Sequence, residues 1–121
     1  MTALRLIGYW GNEQHPELPD PVHLVDPLWD DDERHATSMY FAVGTIARTS
    51  MGFSPCRICG IDNGDTEYTD GTYLWPSGLV HYIDEHQVRL PASLVTHATE
   101  RLDAIEAMDQ EVDWWLANTS A

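Results

Sequence analysis

Apolar residues recur at spacings of three and four in three parts of the chain, which predicts three helices. The first follows the acidic run at 30–33, which suits a helix N-terminus, and continues to Ala47. A short helix is predicted to begin at Pro76 and end near Val88, and a long one to begin at or just after Pro91. The residues at these spacings, which mark one face of each helix, are Ala36, Met39, Tyr40, Val43, Ile46 and Ala47, then Leu79, Tyr82, Ile83 and His86, then Leu94, Val95, Ala98, Leu102, Ile105 and Met108.

Strand-forming residues lie between the first two helices. Residues 66–69 and 72–75 favour strands and meet at Asp70-Gly71, a strong turn signal, which predicts a hairpin. Residues 1–29 are turn-rich, with a strand pattern at 4–10 and a short helical turn capped by Asp20. The 121 residues suffice for one ordinary domain. We therefore predict a single small α+β domain, residues 1–121, that is mostly helical.

The two cysteines of the chain lie in the sequence Cys56-Arg-Ile-Cys59-Gly, and His81 and His86 follow the predicted hairpin. The order C-x2-C then H-x4-H is typical of a zinc site with four protein ligands. On a straight helix the two histidines point about 140° apart, so both reach one metal only if the last turn loosens near His86. We predict zinc bound by these four residues, in a module at 56–91 in which the metal pins the β-hairpin to the short helix.

Two other interpretations of the cysteines remain open. They are also consistent with small buried apolar residues, with the histidines lying on the surface of an amphipathic helix. A thioredoxin-like redox pair is disfavoured, because such a pair opens a long helix whereas residues 60–64 are rich in helix breakers.

The ligand set also bears on chemistry. Two thiolates and two imidazoles fill a tetrahedral shell, which is typical of structural zinc, whereas catalytic zinc keeps a position for water. Glu85 lies next to His86 and leaves an alternative open, in which one of the four residues is not a ligand and Glu85 is a general base. The spacing does not match the H-E-x-x-H motif of metalloproteases.

The net charge of -14, from twenty acidic residues against six arginines and no lysine, argues against nucleic acid and anionic membranes as partners. A basic protein partner is the functional interpretation, with the acids of the last helix and the segment after it as the docking surface. Host composition is the other explanation of the charge. No apolar run has the length of a membrane helix and no secretory pattern opens the chain, so we expect a cytoplasmic protein in which the cysteines stay reduced.

The region 56–91 resembles a group of small, largely uncharacterised bacterial proteins frequent in actinobacteria. The likeness is carried by Cys56-Arg57-Ile58-Cys59-Gly60, Asn63-Gly64, Thr69-Asp70-Gly71, Tyr73-Leu74-Trp75-Pro76, Gly78-Leu79, His81-Tyr82, His86 and Val88-Arg89-Leu90-Pro91. It implies a recurring module in a GC-rich bacterial cytoplasm, and it brings no established activity.

Two functions are consistent with these features. The first is a non-catalytic interaction protein with structural zinc, for example an immunity or antitoxin-like partner of a basic protein. The second is a zinc-dependent hydrolase that uses Glu85. Near the C-terminus, Trp114-Trp115-Leu116 is predicted either to close over the core, which we favour, or to stay exposed for a partner.

Overall fold

The computed structural model describes residues 2–49 and 54–120. In this part of the chain, four strands and four α-helices form an α+β domain in which helices take 39% of the residues and strands 17%. The fold class is confirmed, although "mostly helical" overstates the helix content. The elements are β1 (Arg5–Leu6), a 3-10 helix (Pro21–Leu24), α1 (Asp31–Phe41), β2 (Thr45–Thr49), β3 (Thr66–Thr69), β4 (Tyr73–Pro76), α2 (Leu79–His86), α3 (Ala92–Glu106) and α4 (Asp113–Thr119).

The predicted hairpin is the centre of a four-stranded sheet with the order β1-β4-β3-β2. β3 and β4 pair antiparallel, with Tyr68 opposite Trp75. β1 adds to the β4 edge in parallel, and β2 adds to the β3 edge antiparallel. The hairpin was predicted from its turn signal, but the two outer strands bring residues distant in sequence to its edges.

The core joins the sheet to three helices. Trp75 of β4 is fully buried, and its ring packs edge-on against Phe41 of α1 with ring centroids 5.0 Å apart. The indole Nε1 of Trp75 donates a hydrogen bond to the carbonyl of Phe41 at 2.9 Å, so the polar edge of this large side chain is satisfied. Leu79 and Ile83 of α2 complete the fully buried centre, and α3 adds Leu94, Val95 and Ala98.

The first helix begins as predicted, since the Asp30 carboxylate accepts a hydrogen bond from the Glu33 N–H. Its predicted end and buried face are wrong. The helix ends at Phe41, and the residues expected to extend it form strand β2, whose β-branched composition favours a strand. The buried positions of α1 are Thr37, Ser38 and Phe41, while Met39, Val43 and Ile46 are exposed.

The hydroxyl groups explain the buried face of α1. Thr37 donates to the carbonyl of Glu33, and Ser38 donates to the carboxylate of Asp84 on α2 at 2.7 Å. Because both hydroxyls are satisfied, small polar residues can occupy the contact between two helices. Apolar periodicity cannot predict such positions, which is why the expected face was displaced.

Three further predictions need correction. Pro76 is the last residue of β4, and α2 begins at Leu79. Helix α3 begins as predicted but ends at Glu106, before Met108, and both Ile105 and Met108 are exposed. The segment Trp114-Trp115-Leu116 does not close over the core, because its three side chains are 63%, 61% and 59% exposed.

None of the helices formed by the described residues combines the length and the apolar character that a membrane span requires.

Candidate metal centre

The cysteine motif forms a tight turn closed by backbone hydrogen bonds. The N–H of Cys56 donates to the carbonyl of Ile61, and the N–H of Gly60 donates to the carbonyl of Cys56, both at 2.8 Å. Gly60 has φ 79°, a conformation that glycine adopts at little cost. The N–H of Ile58 points at the Cys56 sulfur at 3.4 Å.

Contacts on both flanks of this turn hold it against α2. The N–H of Arg57 donates to the hydroxyl of Tyr82 at 2.7 Å. On the other flank, the side-chain amide of Asn63 donates to the carbonyl of Gly78 at 3.0 Å. Gly78 permits this approach, since a Cβ there would collide with the carbonyl of Asn63. The cysteine turn is therefore positioned by protein contacts as well as by any metal.

The end of α2 is wider than a regular α-helix. The carbonyl of Tyr82 accepts hydrogen bonds from the N–H groups of Gln87 and Val88, five and six residues later, and Gln87 is left-handed with φ 49°. The wider turn brings the rings of His81 and His86 to a centroid separation of 5.0 Å, although they are five residues apart. The predicted loosening near His86 is present.

The four predicted ligands come together between the cysteine turn and α2. One ligand atom from each of Cys56, Cys59, His81 and His86 lies within 4.8 Å of the other three, and His81 Nε2 is 3.4 Å from Cys59 Sγ. Around a tetrahedral zinc, neighbouring sulfur and nitrogen ligands lie roughly 3.3 to 3.8 Å apart. Small side-chain adjustments would therefore complete the shell.

An unsatisfied nitrogen supports this fit. His86 Nε2 is buried and has no hydrogen-bond partner among the described residues. A buried polar atom without a partner costs free energy, and coordination to a metal is one way in which an imidazole nitrogen is satisfied. The residues present thus fit a metal ion, with the Cys56 side buried and the Cys59 side exposed.

The surroundings of Cys56 also favour metal binding. Burial acts to raise the pKa of the Cys56 thiol, but hydrogen bonds from the N–H groups of Cys59 and Ile58, together with those from the side chains of Cys59 and Tyr82, outweigh it, so the pKa lies below its ordinary value. Because the thiolate is the form that binds metal, the turn favours the binding form of Cys56. Both cysteines are free thiols.

The predicted ligands do not line a cavity that lies beside the cysteine turn and α2. A cavity of about 290 Å³ lies between the N-terminal segment and the sheet, bordered by Tyr9, Trp10, Asn63, Glu67 and Tyr82. Neither the four clustered residues nor Glu85 contributes to its lining. Glu85 is exposed on α2. Glu85, the residue that would act as general base in a hydrolase, is therefore not part of the wall of this cavity.

Sequence analysis missed a second cluster, around the hairpin turn. The Asp70 carboxylate accepts hydrogen bonds from the hydroxyl of Tyr40 at 2.6 Å and from Nε2 of His97 at 2.8 Å. Its other oxygen accepts from the N–H groups of Thr72 and Tyr73. Burial acts to raise the pKa of Asp70, but these hydrogen bonds outweigh it and lower the pKa to about 2. This cluster ties the turn to α1 and α3. No local spacing predicts it, because its members meet only in the folded chain.

Comparison of the chain with protein-family models, with curated proteins and with solved structures finds no match. The resemblance of residues 56–91 to small actinobacterial proteins is not tested by these comparisons.

Proposed function

We propose that this chain is a small cytoplasmic protein in which a structural zinc ion stabilises a non-catalytic protein-interaction domain. The observation that carries the proposal is the convergence of four ligand atoms, two sulfurs and two imidazole nitrogens, within 4.8 Å. Four protein ligands leave a tetrahedral zinc without a position for water, as in structural sites. Thiolate ligands favour zinc over magnesium or calcium, which prefer oxygen.

The position of the cluster supports a structural role. It links a turn that has little regular structure to a helix of eight residues. Isolated helices of that length are marginal in water, and so are short turns. A metal that bridges the two would stabilise both, because metal binding is coupled to folding.

The acidic surface supports a basic protein partner. Six exposed carboxylates lie on α3 and the segment after it, and none of them takes part in an ion pair among the described residues. Unpaired like charges of this kind speed association with an oppositely charged surface and repel nucleic acid. The six residues are Glu100, Asp103, Glu106, Asp109, Glu111 and Asp113. An immunity or antitoxin-like role is one form that such an interaction could take.

Metal analysis tests the proposal. Protein purified under reducing conditions without chelator should contain about one zinc per chain. Cys59→Ser should lose most of that zinc and melt at a lower temperature, whereas Glu85→Gln, next to a ligand but not one itself, is the matched control and should keep both. Wild-type protein that binds almost no zinc would contradict the proposal.

The hydrolase alternative has a distinct signature. It requires an open metal position and a carboxylate aimed at bound water. A zinc-dependent hydrolysis that Glu85→Gln abolishes while zinc is retained would favour it over the interaction role.

A further inference from the structure

The described residues after 102 lie on the surface of the protein. Every described residue from 103 to 120 has an exposed side chain, including those of helix α4. We refer to residues 103–119 as the C-terminal segment. Six large apolar side chains in this segment are between 56% and 66% exposed, namely Ile105, Met108, Val112, Trp114, Trp115 and Leu116.

The apolar surface is large for so short a segment. A tryptophan side chain contributes 150 to 250 Å² of contact area, so two that are about 60% exposed, together with four partly exposed aliphatic side chains, present on the order of 500 Å². This summed area is comparable with that of the largest apolar patches found on monomers, which often mark binding sites. The core already has its own tryptophans, Trp29 and Trp75, at 2% and 0% exposure.

Helix α4 has the pattern of a segment that docks into a groove. Val112, Trp115, Leu116 and Thr119 recur at spacings of three and four, which places them along one face. The N–H of Leu116 donates to the carbonyl of Val112, so this turn is formed. A helix of seven residues gains little stability alone, and contact of its apolar face with a partner would supply the missing stability.

The charge of the segment indicates the chemistry of the occupant. Five carboxylates lie at or before the first turn of α4, and no basic residue accompanies them: Asp103, Glu106, Asp109, Glu111 and Asp113. The residues from 117 to 120 carry no charged side chain. A complementary surface is therefore basic where the segment enters and uncharged where α4 ends.

A second copy of this chain does not meet that requirement. Each copy carries a net charge of -14 and the same acidic run, so pairing through the segment would bring like charges together. An anionic membrane is repelled for the same reason.

We propose that the C-terminal segment docks by α4 into an apolar groove of a partner protein, anchored by Trp115 and Leu116, and that lysine and arginine residues border the end of the groove facing residues 103–113. The proposal rests on the interaction role proposed above and names the docking element.

Photo-crosslinking from the full-length chain tests it. Benzoylphenylalanine is introduced in the native host at Trp114, an exposed residue of α4 beside the proposed anchors, and at Leu28, which is 92% exposed, as the matched control. The expected result is one protein crosslinked from position 114 and not from position 28, with the modified peptide lying in an apolar groove bordered by basic residues. Crosslinks to a second copy, to lipid, or to the same proteins from both positions would overturn the proposal, and so would the absence of a crosslink above the control.

Binding to the purified crosslinked protein supplies the quantitative arm. Trp115→Ala should weaken the affinity at least about 30-fold, because buried tryptophans are typical interface anchors. Changing the five acids to amides should slow association and flatten its salt dependence, and Leu28→Ala should change neither. Trp115→Ala that binds like the wild type would refute the anchor.

The zinc content of the same variants separates the two proposals. Trp115→Ala should keep its zinc, because the segment lies outside the metal cluster. Normal zinc with no position-specific crosslink would overturn the docking segment alone. A specific crosslink to a basic groove from a chain without zinc would overturn the structural metal alone.

Discussion

Replacing Asp70 should destabilise the fold although the residue is not in the metal centre. Its two oxygens accept four hydrogen bonds, two from the backbone of the hairpin and two from Tyr40 and His97. Asp70→Asn keeps one acceptor oxygen for the backbone groups and puts an amide where the other two donors point. At about 1 kcal/mol for a net hydrogen bond and somewhat more for one to a charged group, the expected loss is about 2 to 3 kcal/mol.

The pH dependence of stability expresses the same hydrogen bonds as a free energy. Because the pKa of Asp70 is lowered from 3.8 to about 2 in the folded state, its contribution is present above pH 3.8 and is lost as the pH falls towards 2. At 1.36 kcal/mol per pKa unit, this contribution amounts to about 2 kcal/mol. The carboxylate is only 10% exposed, so solvent screening reduces it little.

Urea unfolding of wild type and Asp70→Asn between pH 2.5 and pH 7 measures both effects. The difference in unfolding free energy should be about 2 to 3 kcal/mol at pH 7 and should shrink towards the acid end. Tyr40→Phe, which removes one donor, should cost about 1 kcal/mol and serves as a graded control. An Asp70→Asn protein as stable as wild type at pH 7, or a difference that grows on acidification, would refute the reasoning.

Three other substitutions probe the metal centre and its supports. Gly78→Ala should lower the free energy of unfolding by about 2 kcal/mol or more and weaken zinc binding, because the new Cβ meets the carbonyl of Asn63 and displaces the cysteine turn. Chelator competition measures the zinc affinity, and an unchanged affinity would contradict this prediction. Gln87→Gly should raise the unfolding free energy by about 0.5 to 1 kcal/mol, because φ is 49° at that position, and a destabilised protein would show that the side chain matters more than the backbone. Glu85→Gln should change the melting temperature by no more than about 1 to 2 °C, since its carboxylate is exposed, and a large shift would assign it a structural contact.

Local signals predicted the elements that position the candidate metal centre. The Asp70-Gly71 turn, the C-x2-C spacing and the apolar pattern of Leu79, Tyr82 and Ile83 are short-range features, and the structure has the hairpin, the cysteine turn and α2 where they indicated. The metal was predicted to pin the β3-β4 hairpin to α2. In the structure the cluster joins α2 to the cysteine turn, which precedes the hairpin in the chain.

Contacts between residues distant in sequence account for the strand and the buried residues that could not be predicted. Strand β2 lies where the helical periodicity of α1 continued, and the choice between helix and strand there was made by pairing with β3. Thr37 and Ser38 are buried because Glu33 and Asp84 accept their hydroxyl groups. The exposure of Trp114 and Trp115 contradicts the general tendency of such residues to be buried, which no local pattern reveals.

X-ray absorption at the zinc edge of the purified, reduced protein tests the central claim most directly. A structural site predicts two sulfur ligands at about 2.3 Å and two nitrogen ligands at about 2.0 Å in a four-coordinate shell. A shell with a water or carboxylate oxygen and fewer than four ligands from Cys56, Cys59, His81 and His86 would contradict the closed structural site.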